Sequence, residues 1–513
     1  MKGVLLSVMA AGLLRTFAET TDYKSTSRYD DVIAFIHAAQ SIDPDIRVEN
    51  FATTTEGRAL PLVIVGSGKN KPVVFIMANI HAGEVEGKEA AQMLLRDLIT
   101  THRKLRRRMT ILIAPIYNAD GNEKIATTHR TTQVGPINGV GVRENGQGLD
   151  LNRDYMKLES PEARGLIANV LQRWDPLVTI DLHTTNGSYH GYQLTYAPPL
   201  NPNADARIIA FERDTLLPEI RERMKKRHGK STYYYGNFED QLKPEKGWFT
   251  FDNRPRFGNN YIGLRNRFAI LSEAYSYIGF RERVEVTHQF LHEILAAVDR
   301  HANKMMRIAA KADETRPKSQ GVRFAIKPWK KNVTILWERA TQAEPGEGIP
   351  NPDTGSGADI VRSGEIVPMK MTDYGIFAPT EKSDVPYAFV IDPRAKRIID
   401  NLLTHGIVVD RLNAPAKLRV SEFVVANSAH AEKPFQKHNE TTLSGKWKDR
   451  DTTLDEGTFI VRMDQPLARL AFYLLDPRSD DGLVEWNFFD ELPPASKIMK
   501  ATPLVATAVR AVE

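Results

Sequence analysis

The chain of 513 residues contains no cysteine. Disulfides are excluded, and so is any metal centre built on thiolates; a metal here has only nitrogen and oxygen donors available. Long apolar runs are scarce too. The N-terminal stretch "MKGVLLSVMAAGLLRTFAE" holds 12 apolar or small residues in a row, too few to cross a bilayer. With Lys2 ahead of it and the small Ala18 behind it, the stretch reads as a secretory signal over 1–18, which implies a secreted or periplasmic protein. Arg15 is untypical there, and an ordinary N-terminal helix is the competing reading. No other segment has the length and apolarity of a transmembrane helix. Charge of one sign is missing as well: 69 basic residues face 64 acidic ones, a net charge of +5, so nothing argues for a nucleic-acid partner. The densest basic run, "HRKLRRR" at 102–108, lies where a helix gives way to a strand, a place the helix dipole favours for cations. No internal repeat recurs at a fixed period.

What is present divides the chain in two, as its length suggests. From about 28 to 300, β-rich runs such as "LPLVIVGSG", "PVVFIMANI", "MTILIAPIYN", "LVTIDLHTT" and "RFAILSEAYS" alternate with helical patterns. "YDDVIAFIHAAQSI" has a period near 3.6, "PEARGLIANVLQRW" has proline near its first turn, and "VEVTHQFLHEILAAVDRHANKM" is a long helix. The alternation predicts an α/β domain over 19–310, with a mixed, largely parallel sheet flanked by helices. The charged segment "KADETRPKSQG" interrupts the pattern. Beyond it "VRFAIKP", "NVTILWERA", "LRVSEFVVA", "GTFIVRMD" and "ARLAFYLLD" read as strands, with one helix in "PRAKRIIDNLLTHG". This predicts a β-rich accessory domain over 320–513; a subdomain packed firmly on the first is equally consistent.

The strands of the first domain end in polar residues. "PVVFIMANI" runs into His81 and Glu84, "LVTIDLHTT" carries His183 after Asp181, and "FAILSEAYS" carries Glu273. Open α/β sheets bind ligands beyond the carboxyl ends of their strands, so three strands aim two imidazoles and two carboxylates at one crevice. Taken alone, His81-x-x-Glu84 is an ordinary helix start with an acid at the positive end of the dipole. Together, His81, Glu84 and His183 make the His₂Glu set that leaves a catalytic zinc one open position. A second histidine pair, His288 and His292, lies four apart on the long helix. Zinc helices use that spacing, but Glu293 follows the pair instead of lying within it, and the pair is assigned to an ordinary helix face.

Between the first two strand ends lies "GVRENGQGLDLNRDY" (141–155). The His-x-x-Glu turn, this R-x-N-x-x-G-x-D-x-N-R string, a later strand histidine and a final strand glutamate resemble the zinc carboxypeptidase family in the same order, over about 28–300. The resemblance implies one Zn²⁺ per chain on His81, Glu84 and His183. It implies that Asp150 orients His81 from its far nitrogen. Asn152 and Arg153 would hold the free carboxylate of a peptide C-terminus, which a planar guanidinium matches fork to fork. Arg143 would stabilise the developing charge on the scissile carbonyl. Glu273 would be the base that takes water's proton and passes it to the leaving amine. The expected activity is that of a metallocarboxypeptidase acting on the C-termini of peptides or proteins.

Two features leave the pattern open. The tyrosine that closes over substrate in this family has several candidates, in "STYYYGNF" (231–238) and at Tyr261. Arg254, Arg256, Arg265 and Arg267 precede the last strand, where one of them could favour acidic substrate side chains, although surface or structural roles are the commoner use. Two other functions fit the same residues. One is a zinc amidase or deacylase of related fold, acting on peptidoglycan peptides or small amides. The other is an inactive binding module, against which the retention of Glu273 beside all three ligands speaks.

Overall fold

The computed structural model describes residues 14–509 apart from 67, 69, 344–359 and 491. Most of the expected leader, residues 1–13, lies outside the described residues. Its last part lies inside them. Leu14 and Ala18 are buried, and the Arg96 guanidinium donates to the Leu14 carbonyl at 3.1 Å and to the Glu19 carboxylate at 2.7 Å.

An eight-stranded mixed sheet forms the centre of the first half. Its strands are β1 (Arg47–Thr53), β2 (Ala59–Val65), β3 (Val73–Ala78), β4 (Thr110–Ala114), β5 (Val178–Thr185), β6 (Leu194–Ala197), β7 (Thr232–Tyr234) and β8 (Phe268–Tyr275). They lie in the order β1-β2-β4-β3-β5-β8-β6-β7. The central run β4-β3-β5-β8 is parallel, and the flanking pairs bring in the antiparallel connections. β4 and β5 are buried along their whole length; β4 accordingly reads as a near-continuous apolar run, whereas β5 alternates Val178, Ile180 and Leu182 with the polar Thr179, Asp181 and His183.

Helices cover both faces. α1 (Tyr29–Ile42) buries Val32, Phe35, Ile36 and Ala39, one face at helical spacing. α2 (Glu86–Ile99) follows the His81–Glu84 turn and is buried almost all round. Its charged residues are tolerated because each is bonded. Glu89 accepts from the Ser27 amide at 2.8 Å and from the hydroxyls of Thr26 and Ser27, while Lys88 donates to Asn122 at 2.5 Å. Gly87 lets this helix approach β5: a Cβ there would stand 2.6 Å from the Leu182 side chain, one residue before His183. Further along come α3 (Leu217–His228) and α4 (Phe280–Asp313), the latter packed against α2.

The second half is built largely of long antiparallel ribbons: Ser319–Lys327 with Ile376–Asp384, Lys330–Gln342 with Ile360–Tyr374, and Ala416–His430 with Thr441–Leu454. α5 (Lys396–Thr404) is the helix read from the sequence. "ARLAFYLLD" is not a strand: Ala468–Leu475 is a helix, α6, with every residue but Arg469 buried. A short apolar run that is buried all round has no period to betray it, and its alanines and leucines are strong helix formers. The two halves are knit together. Ile360–Tyr374 pairs in parallel with Trp248–Phe249, and buried residues of both halves form one continuous apolar cluster, from Phe75 and Ile180 through to Phe472 and Trp486.

Candidate metal centre and substrate cavity

β3 ends at Ala78, and the turn after it delivers His81 and Glu84 before α2 begins. β5, its parallel neighbour, carries His183. The two elements bring three donors together deep in the protein. Glu84 lies between the two rings: its Oε1 is 3.0 Å from Nδ1 of His81 and its Oε2 is 2.8 Å from Nδ1 of His183. All three residues are buried.

Each histidine is held from behind by a second carboxylate. Nε2 of His81 lies 3.1 Å from Oδ1 of Asp150, the residue expected to orient it. Nε2 of His183 lies 3.0 Å from Oδ2 of Asp181, a partner the sequence reading did not identify. Its signal was present: positions 181 and 183 are two apart on one strand and therefore share a face. His81 Nε2 is thus hydrogen-bonded outward and His183 Nε2 lies within ion-pair distance of Asp181, while both Nδ1 atoms are directed at Glu84. Arg130 was missed too. It reaches in from a loop and places Nη2 2.8 Å from Glu84 Oε1.

This clustering of charge sets the protonation of the centre. Burial opposes the ionised form of Glu84, but His81, Arg130 and His183 outweigh it and hold the carboxyl well below its usual range. At Asp150 the same balance, with burial outweighed by His81, Arg143 and Arg153, again holds the acid well below its usual range. Burial would discharge His183, yet Asp181 and Glu84 on either side hold its pKa well above the ordinary imidazole value. A cation entering between these groups displaces that proton, so its binding weakens as pH falls.

A cavity of about 270 Å³ opens beside the donors. It is lined by His81, Glu84 and His183, and by Arg143, Asn152, Arg153 and Glu273, so all the expected site residues other than Asp150 face one space. Asp150 lies behind the cavity wall, where Arg143 donates to it through Nε at 2.9 Å. Asn152 accepts the Gly258 amide at 3.0 Å, and Arg153 lies over the Phe257 ring at 3.9 Å with Nη1 bonded to the Asn152 carbonyl. Burial lowers the Arg153 pKa to about 10, which leaves it charged at neutral pH. Glu273 stands beside His183 in register on the neighbouring parallel strand. Burial pushes its carboxyl up to about 8, with His183 opposing the shift and Glu84 and Asp181 adding to it.

Of the candidate tyrosines, Tyr235 lines the cavity, and burial raises its hydroxyl to about 12. Tyr261 is buried elsewhere, bonded to His405 at 2.8 Å. The four arginines are engaged in structural contacts. Arg254 pairs with Asp252, Arg256 with Asp481 and Glu485, Arg265 with the His405 carbonyl, and Arg267 with Asp175 and Asp313. The second half also touches the site. Gln436, beyond the Ala416–His430 strand, accepts the backbone amide of Asp150 at 2.9 Å, and Lys437 donates to the Gln147 carbonyl at 2.9 Å.

Residues 32–250 match the model of the family described as zinc carboxypeptidase. Over those residues the chain is similar to a zinc carboxypeptidase domain. It is 22% identical over 476 residues to carboxypeptidase 2 of Trichophyton rubrum, an alignment spanning 85% of this chain and 80% of that protein. Over 167 residues, 30% of this chain and 12% of the other, it is 26% identical to human carboxypeptidase D. Among solved structures, a metallo-carboxypeptidase from Burkholderia cenocepacia superposes with a TM-score of 0.42 at 19% identity, covering 54% of this chain and 70% of that one.

The donor set suits the metal of the family that the chain resembles. Two imidazole nitrogens and one carboxylate face each other in a buried centre, both imidazoles braced by outer carboxylates, with a cavity on the open side. Loss of one brace is informative. Asp181→Ala is expected to weaken zinc retention about 10- to 100-fold, the usual cost of an outer-sphere partner, while far-UV circular dichroism stays unchanged. Competition with a chromophoric chelator measures it. Unchanged affinity would show that Asp181 does not support His183.

Proposed function

We propose that this chain is a zinc-dependent carboxypeptidase that hydrolyses the C-terminal peptide bond of peptides or proteins. The observation that carries the proposal is the sharing of one cavity by the His81–Glu84–His183 centre, the Asn152–Arg153 pair and Glu273. Zinc held by those three ligands, one ion per chain, supplies Lewis acidity that polarises a carbonyl and makes water nucleophilic near neutral pH. The protein residues do the rest. Asn152 and Arg153 hold the terminal carboxylate, with the guanidinium steadied by the Phe257 face and screened from bulk water. Arg143, braced by Asp150 at the cavity wall, donates to the carbonyl oxygen as negative charge develops there. Glu273 accepts the proton of the attacking water and returns it to the departing nitrogen. With zinc on the neighbouring ligands, the Glu273 carboxyl would be drawn back toward the range in which it can act as a base.

The wider organisation follows the same reading. Residues 19–310 form the catalytic unit, and residues 320–513 form a β-rich unit that buttresses it, Gln436 fixing the backbone of the Asp150 segment. Export to the periplasm or the exterior fits the apolar N-terminal stretch. Substrates are peptide or protein C-termini.

Glu273→Gln is expected to preserve fold and zinc content while lowering kcat about 10²–10⁴-fold, because an amide of the same shape cannot accept the proton. A variant within a few-fold of wild type in steady-state assays would place the base elsewhere.

Arg153 separates an exopeptidase from other amide hydrolases. The terminal carboxylate is present in both ground and transition states, so Arg153→Ala is expected mainly to raise KM for free-acid peptides. Loss of a charge-assisted contact costs about 1.5–3 kcal/mol, or roughly 10- to 150-fold. C-terminally amidated peptides are expected to be poor substrates, little affected by the change. If wild type cleaves amidated and free-acid peptides equally well, the carboxypeptidase reading gives way to an amidase.

A further inference from the structure

A second cluster of donors lies away from the cavity, at the far end of α2. Asp97 sits in the last turns of this helix, and α4 presents His288 and His292, one turn apart, directly opposite it. Nε2 of each histidine lies 2.8 Å from the same oxygen, Oδ2 of Asp97, and the two Nε2 atoms are 3.2 Å apart. The His102 ring packs against His292 in a tilted arrangement with centroids 4.5 Å apart, and the His102 backbone amide donates to the Asp97 carbonyl at 2.7 Å. All three donor side chains keep a solvent-facing edge, with relative exposures of 17–19%.

Hydrogen bonding does not account for this arrangement fully. If each Nε2 carries a proton and donates it to Asp97, the short contact between the two nitrogens has no bond along it. If one nitrogen instead accepts from the other, its lone pair faces the carboxylate. Protons serve two of the three edges, whereas one cation bonded to all three atoms serves every lone pair at once. The size is right as well. Above the plane of a triangle with edges of 2.8, 2.8 and 3.2 Å lies a point about 2.0–2.1 Å from every corner, the length of zinc–nitrogen and zinc–oxygen bonds, which seats a cation to one side of the three donors.

We propose that Asp97, His288 and His292 form a second site for a divalent transition-metal ion, clamping the C-terminal end of α2 to α4. Two imidazoles and one carboxylate suit Zn²⁺ or a neighbouring first-row dication, and the exposed edge leaves water to complete the coordination. Being open, this site exchanges metal more readily than the buried centre. Its effect is structural. α2 begins two residues after Glu84, so a cation at its far end braces the helix that leads out of the metal centre. The proposal stands independently of the reaction assigned to the cavity.

The test uses the full chain carrying its resident metal, dialysed to equilibrium against a zinc buffer of micromolar free concentration and counted by elemental analysis. Wild type is expected to hold one zinc more than His288→Gln/His292→Gln, and to lose that extra ion on return to zinc-free buffer. Its thermal midpoint should rise with zinc while that of the variant does not, and peptidase activity should be equal in the two. Asp97→Asn, which keeps both rings, is a second variant in case the histidine pair is needed for folding. It should bind the extra ion at least about tenfold more weakly, since even outer-sphere losses cost that much. Equal zinc counts in wild type and in whichever variant folds would overturn the proposal.

Discussion

Glu84 is a carboxylate with almost no access to water, and an isolated ion in that position costs far more than the fold's stability can bear. Everything around it meets that demand. Two imidazoles and the Arg130 guanidinium lie within 3.0 Å of its oxygens, and the Thr184 amide donates to it at 3.2 Å. The imidazoles in turn need negative charge at their outer nitrogens, which Asp150 supplies to His81 by a hydrogen bond and Asp181 to His183 at 3.0 Å. Asp150 is itself balanced by Arg143 and Arg153, which reach the cavity wall. One buried charge thus propagates into alternating layers of opposite sign, and the outermost layer is positive. A peptide's terminal carboxylate and a developing oxyanion are the anions such a layer would receive.

The same constraint explains why the second half of the chain is not a detached appendage. The strand ends give the centre its inner side, but the Asp150 segment is a loop, and loops need external support to hold a charge network in place. Gln436 supplies it at the Asp150 amide, and the buried Arg256–Asp481–Glu485 network fixes the stretch just before Phe257 and Gly258, which support Arg153 and Asn152. Acid–base pairs of this kind contribute little net stability, yet removing one partner leaves an unmatched buried charge, so they hold geometry in place.

Much of this was legible in the sequence, for a physical reason. His81, Glu84, His183 and Glu273 stand at or just beyond the ends of apolar runs, and a parallel sheet turns that one-dimensional feature into spatial proximity. Asp181 was legible by strand alternation and passed over. Arg130 and Gln436 were not legible, because they reach Glu84 and Asp150 through loops and from 46 and 286 residues away, where no periodicity constrains placement. Asp97 joins His288 from 191 residues away, so a histidine pair that looked like an ordinary helix face acquires its third donor only through the packing of α2 on α4. The α6 helix was misread because complete burial erases the amphipathic pattern that distinguishes helix from strand.

The central claim is that Glu84 and its two histidines are a metal centre and not merely a buried hydrogen-bond cluster. X-ray absorption at the zinc edge, on protein stripped of loosely held metal by a chelating resin, tests it most directly. The account predicts one resident zinc per chain, with two imidazole ligands at about 2.0–2.1 Å plus oxygen donors, and loss of that signal in His81→Ala/His183→Ala. Resident zinc with an unchanged spectrum in that double variant, or a wild-type spectrum without imidazole scattering, would contradict it.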